Sequence, residues 1–280
     1  MIARELGVNT YGYIWSTPAA ACVRRLAELG YRQFELMIHP PHLPLDDFDA
    51  GARRELRGAL NEAGARRTAL NMPSLDYNLA SPLPRARAAS VQMFADAIDL
   101  AADVGAEWLV MVPGRMSPLF PPSAADKMKW ISESVAALLP RAEARGVGIA
   151  VENIPFAAFP DAISLGRFVR GFNSPRLAVC YDAANAHFIG EPPAEGIAHL
   201  GDLLRIVHLS DTGRDVWRHG RIGTGSVPFA EVARALAGVG FDGPCTLEIA
   251  DQDPEAAILH GHSALVPFGY APRGKESASR

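Results

Sequence analysis

Four apolar runs in the second half of the chain each stop at a residue that does not belong in a core. Val147-Gly-Ile-Ala-Val ends in Glu152 and Asn153, Leu177-Ala-Val-Cys-Tyr in Asp182, Leu204-Arg-Ile-Val in His208, and Cys245-Thr-Leu in Glu248. Short β-branched and small apolar runs bounded by Gly or polar residues read as buried strands. A carboxylate at the end of such a strand needs a cation, a proton or a hydrogen-bond partner, because burying it alone is costly. The first half has the same rhythm. Strands are predicted at Leu6–Asn9, Gln33–Ile38, Arg67–Asn71 and Trp108–Val112, and the helices between them stop at Gly30, Gly64, Gly105 and Gly146. Thr17 is expected to cap the first helix, with Pro18 at its first turn. Further helices are expected over residues 46–63, 85–104, 123–145, 161–170, 194–200, 228–238 and 254–260.

Eight strand–helix alternations without a break in composition predict an α/β fold, a single (β/α)8 TIM barrel over residues 1–272. Residues 273–280 form a polar tail, expected to be disordered. An open doubly wound sheet is the competing architecture. It calls for a Gly-rich phosphate loop after the first strand, which Asn9-Thr-Tyr-Gly-Tyr does not supply.

Composition narrows the function. The 280 residues are 49% hydrophobic with net charge −4, enough for one large core and too acidic for a protein that grips nucleic acid by its phosphates. Cys22, Cys180 and Cys245 are scattered and read as buried thiols in a reducing cytoplasm. The N-terminus lacks a secretory pattern and no apolar run is long enough to span a bilayer, so a cytoplasmic protein without a membrane partner is expected.

In a barrel, parallel strands end on one face, where active sites lie. Strands five to eight are neighbours there, so Glu152, Asp182, His208 and Glu248 converge although they are distant in sequence. Carboxylates with one imidazole suit a divalent ion of intermediate hardness: Mn2+, Co2+, Mg2+ or Zn2+. Taken singly, each acid also fits a strand-end ion pair or a cap on the next helix.

The motifs Val151-Glu152-Asn153, Tyr181-Asp182-Ala-Ala-Asn185-Ala-His187, His208-Leu-Ser-Asp211, Leu247-Glu248 and Arg221-Ile-Gly-Thr-Gly225 together resemble, in order and spacing, the sugar phosphate isomerase and epimerase family with xylose isomerase-like TIM barrels. That group belongs to the same superfamily as endonucleases of abasic DNA. The resemblance spans nearly the whole chain. It implies one divalent metal ion held by Glu152, Asp182, His208 and Glu248, and a metal-dependent isomerase or epimerase of a small sugar, ketose or polyol-derived keto compound. It further implies that Glu152 and Glu248 are catalytic, removing and returning a proton through a metal-stabilised enediolate. An inosose- or dehydroshikimate-type dehydratase on the same barrel is the alternative. The abasic-site endonuclease ranks below both, because its three-zinc site is poorly supplied here. The first-half histidines, His39 and His42, share one loop, and Trp217-Arg-His219 lacks the Asp that site needs. A homo-oligomer is expected only from the family's leaning.

The substrate, expected to be a small carbohydrate-like molecule, has several candidate partners. Relatives carry His three residues after the strand-six Asp; here Asn185 holds that position and His187 lies two further on, and both remain candidates. Arg214 sits where relatives often place a substrate-contacting Arg. His219 either reaches the site or is a solvated loop residue. Asn9, Tyr11, Glu35 and Asn71 are the first-half candidates. Gly223-Thr-Gly225 reads as a turn former in preference to a phosphate cradle.

Overall fold

The computed structural model describes residues 3–72, 77–117 and 119–273. Eight parallel strands close into a barrel in sequence order, β1 pairing with both β2 and β8. They are β1 (Leu6–Asn9), β2 (Gln33–Met37), β3 (Arg67–Met72), β4 (Trp108–Met111), β5 (Gly148–Glu152), β6 (Leu177–Asp182), β7 (Leu204–Leu209) and β8 (Cys245–Leu247). The helices are α1 (Ala19–Glu28), α2 (Ala50–Glu62), α3 (Pro84–Val104), α4 (Ala124–Arg145), α5 (Ala162–Phe172), α6 (Ala183–Phe188), α7 (Pro193–Leu200), α8 (Phe229–Gly238) and α9 (Pro254–Leu265). Beyond Arg273, the expected polar tail lies outside the described residues.

Local chemistry sets the boundaries. Asp49, Ser123, Asp161 and Asp253 cap α2, α4, α5 and α9 through side-chain oxygens that accept backbone N–H groups. Gly105 and Gly146 close α3 and α4 with φ of 84° and 72°, a region an L-residue avoids. Thr17 does not cap α1, contrary to the expectation. Pro18 occupies the cap position without a side-chain bond, and the Thr17 carbonyl meets His42 Nδ1. The helix α6 was not expected. It starts directly at the end of β6, with Asp182 as its cap.

Successive strand residues face opposite sides, so every second residue points into the lumen. Ala69, Val110, Ala150, Cys180 and Ile206 form a buried lumen cluster of their own, floored by Trp108. Gly148 makes room for that ring, since a Cβ there would enter the indole. Two residues further along β3, β5, β6 and β7 stand Asn71, Glu152, Asp182 and His208. The change from small apolar floor to polar rim thus occurs in one layer of the barrel. Outside the strands, a continuous apolar core joins strands to helices, with Leu26, Leu56, Phe94, Ile131, Leu165, Ile197 and Val232 almost fully buried.

Candidate metal centre

His208 stands at the centre of the polar layer. Its Nε2 lies 2.9 Å from Glu35 Oε2 and 3.2 Å from Cys180 Sγ. A carboxylate oxygen only accepts, so Nε2 carries a hydrogen, and Nδ1 is the ring nitrogen turned to the other side. Nδ1 lies 3.1 Å from Glu248 Oε2, 3.3 Å from Glu152 Oε1 and 3.9 Å from Asp182 Oδ2. One ligand atom from each of Glu152, Asp182, His208 and Glu248 falls within 4.8 Å of every other. Asp182 Oδ2, His208 Nδ1 and Glu248 Oε2 are buried without a hydrogen-bond partner among the described residues. Three orphaned, converging donor atoms of this kind fit a divalent cation.

The electrostatics agree. Glu35, Glu152, Asp182 and Glu248 meet two imidazoles, and no Lys or Arg pairs with any of them among the described residues. Burial, reinforced by the Glu248 charge, pushes the Glu152 carboxyl up to about 7. Burial likewise pushes Asp182 up to about 6, against the pull of His219. Glu248 moves the other way: burial would raise it, but His208 and His219 outweigh burial and hold it below the usual carboxylate range. His219 is half-buried beside Glu248 and Asp182: desolvation would lower it, but the two carboxylates outweigh that and hold it up to about 9. Protons thus stand in for the positive charge that the acids demand.

Each ligand is oriented by a neighbour. Asp182 does two things at once: Oδ1 accepts the Asn185 N–H at 2.6 Å, capping α6, while Oδ2 faces the cluster. The helix-cap and metal-ligand readings of this acid are therefore compatible. Asn153 exchanges bonds with the Asp182 backbone, accepting its N–H at 2.7 Å and donating to its carbonyl at 3.0 Å. Asn9 Nδ2 bridges Glu35 Oε1 at 2.7 Å and Glu248 Oε1 at 3.0 Å. Asn71 donates to the same Glu35 oxygen at 2.7 Å.

Above the layer opens a cavity of about 790 Å3, walled in part by Tyr11, Trp15, Asn71, Glu152, Trp217, His219 and Glu248. Of the residues expected to meet substrate, Tyr11, Asn71, Asn185 and His219 reach this wall. The structure does not bring Asn9, Glu35, His187 or Arg214 to it. Glu35 has no exposed surface and sits beneath His208, because its position in β2 is one lumen step below Met37, which does line the cavity. His187 turns along α6 to Ser226 Oγ at 2.8 Å. Arg214 is exposed on the far side of the loop, near Gly190.

That loop, residues 211–227, is tied from within. Asp211 accepts the N–H groups of Thr212, Gly223 and Val227. A Cβ on Gly225 would strike the Thr212 carbonyl, so the glycines serve this fold. Arg221 makes two bonds to Asp251, at 2.6 and 2.8 Å, and the Ala250 N–H donates to the His219 carbonyl at 2.8 Å. These bonds carry His219 back over Glu248. The contacts of Cys180 with His208 and of Ser210 Oγ with His219 Nδ1, both at 3.2 Å, were not legible in sequence, since each depends on a partner from another strand or loop.

Residues 23–267 match the profile of a family described as xylose isomerase-like TIM barrel. Fructoselysine 3-epimerase of Escherichia coli O157:H7 is 25% identical over 272 residues, covering 94% of this chain and 97% of the relative. Ketose 3-epimerase of Arthrobacter globiformis is 23% identical over 251 residues, covering 86% and 82%. A solved D-tagatose 3-epimerase-like protein has the same fold, with TM-score 0.81 at 22% identity over 94% of this chain and 96% of that one.

Proposed function

This chain belongs to the xylose isomerase-like TIM barrel family, and from that premise we propose that it is a metal-dependent sugar epimerase acting on a ketose or a ketose conjugate. Glu152, Asp182, His208 and Glu248 would hold one divalent ion. When bound, the ion supplies Lewis-acid polarisation of a substrate carbonyl and the neighbouring hydroxyl, which acidifies the C–H between them.

The observation that carries the reading is the placement of the two glutamates. Glu152 ends β5 and Glu248 follows β8, so two strands separate them around the barrel. Both approach the same His208 nitrogen, at 3.3 and 3.1 Å, and both line the cavity. A sugar carbon lying between them is approached by a carboxylate from either side. One removes the carbon-bound proton and the other returns it to the opposite face, which inverts that centre. Asn9 holds Glu248 through Oε1, and His219, 3.2 Å from Glu248 Oε2, is placed to donate to a substrate oxygen or to the carboxylate. The names of the curated relatives support a ketose as substrate and carbon 3 as the centre.

The test is to incubate the chain with Mn2+, Co2+, Mg2+ or Zn2+ and a panel of ketoses and ketose–amine conjugates in D2O. The expected result is an epimer carrying one deuterium at the inverted carbon. A product lighter by one water would move the activity to a dehydratase. No deuterium in any substrate, with the metal retained, would remove proton abstraction altogether.

A further inference from the structure

Asn185 and Trp217 form a pair that the metal centre alone does not explain. Asn185 has no exposed surface. The Trp217 indole Nε1 approaches its Oδ1 at 2.6 Å. An indole N–H is only a donor, so the atom facing it must be the amide oxygen. That fixes the amide. Its NH2 is left facing two acceptors, the Asn153 carbonyl at 2.9 Å and Glu152 Oε1 at 3.5 Å. The Asn185 backbone N–H is already taken by Asp182 Oδ1. The side chain therefore has no N–H left for a substrate oxygen.

Glu152 Oε1, which receives the amide, is also the oxygen nearest His208 Nδ1. The amide at 3.5 Å and His208 Nδ1 at 3.3 Å both face Oε1 and together turn it toward the cluster, and Oε2 becomes the oxygen offered to a substrate proton. Trp217 itself is held from outside: its ring meets Phe156 edge-on with centroids 5.7 Å apart and His219 at the same distance, within the loop tied by Asp211 and Arg221.

We propose that Trp217 and Asn185 are positioning residues that act through Glu152: the indole N–H orients the amide, and the amide decides which Glu152 oxygen faces the ligands and which faces substrate. The proposal rests on the epimerase reading for its catalytic consequence but not for its geometry. It departs from a substrate-binding role for Asn185 and gives the 211–227 loop a part in the chemistry.

Two measurements test it on the full chain. In 1H–15N spectra the Trp217 indole N–H is expected to exchange slowly with solvent, and Asn185→Ala should remove that protection. An indole exchanging at solvent rate, or one unmoved by the substitution, would overturn the pairing, whatever the activity. In D2O exchange assays, Trp217→Phe is expected to lower kcat about tenfold or more, with KM and metal stoichiometry within about twofold. Trp217→His, which keeps a ring N–H, should recover several-fold of that loss. Phe156→Leu, which alters the same aromatic contact without touching the hydrogen bonds, should stay within about twofold of the parent. Equal losses in Trp217→Phe and Phe156→Leu, or a loss confined to KM, would reduce Trp217 to an apolar wall. If the parent chain exchanges no ketose proton, the epimerase reading fails while the spectroscopic result stands independently.

Discussion

Glu35 has no exposed surface, and its Oε2 meets a histidine 173 residues away. The contact keeps a hydrogen on His208 Nε2, which makes Glu35 an outer support for the candidate metal centre and not part of the cavity wall. Glu35→Gln would set an amide against the Nε2–H, and metal affinity is expected to fall about 10- to 100-fold. Competition with a chromogenic chelator measures it, and unchanged affinity would show that the tautomer does not depend on Glu35. Glu152→Gln should lower the solvent-exchange rate about 10²- to 10⁴-fold. The same loss of rate with Glu248→Gln, read from substrate epimers of opposite configuration, would separate the proton-removing from the proton-returning carboxylate. At this scale the four clustered residues were legible because each is a polar residue at the end of an apolar strand. For Glu35 the sequence left an interior hydrogen-bond partner and a substrate contact both open, because nothing in Gln33-Phe-Glu-Leu-Met-Ile distinguishes a residue facing the cavity from one a lumen step below it.

Among the elements, α6 is the one the apolar pattern did not reveal. Ala183–Phe188 is too short for a periodic signal, and its one local mark is the Asp182 cap on the Asn185 N–H. Glu191, just after it, accepts the first N–H of α5 from Ala162, at 3.1 and 3.3 Å. Burial pushes its carboxyl up to about 7, and Asp161 and Glu195 add to this against the Ala162 bond. A raised carboxyl means that the folded chain holds a proton that the unfolded chain releases, so this group's contribution to stability falls as pH rises from about 4.5 to about 7. Because the side chain is partly exposed, the effect is discounted to about 1–2 kcal/mol. Glu191→Gln should therefore gain in Tm relative to the parent between pH 5 and pH 8. A Tm difference independent of pH would show that Glu191 titrates normally. In β5, Gly148→Ala would press a methyl into the Trp108 ring, and a loss of about 1–3 kcal/mol in urea unfolding is expected, from overpacking the lumen floor.

The whole molecule ties its acidic centre to its stability. Four carboxylates buried against two imidazoles are held together by protons or by a dication, and a bound ion at about 100 times its Kd would add roughly 2.7 kcal/mol. Chelation is therefore expected to lower Tm by about 5 °C or more, and re-addition of the ion should restore it. A Tm indifferent to chelator and to added Mn2+, Co2+, Mg2+ or Zn2+ would leave the cluster without an ion. The sequence by itself determined the strand–helix alternation, most helix ends, and the four strand-end residues that converge in the candidate centre. Those signals are local: apolar runs, glycines in left-handed stops, acids where a strand leaves the core. Only the tertiary structure decided that Asn185 is taken up by Trp217 and Glu152, that Arg214 and His187 turn away from the cavity, and that His219 turns in. These outcomes depend on barrel closure and on a loop folded around Asp211 and Arg221. Those features set distances between residues far apart in the chain, and no local pattern encodes such distances.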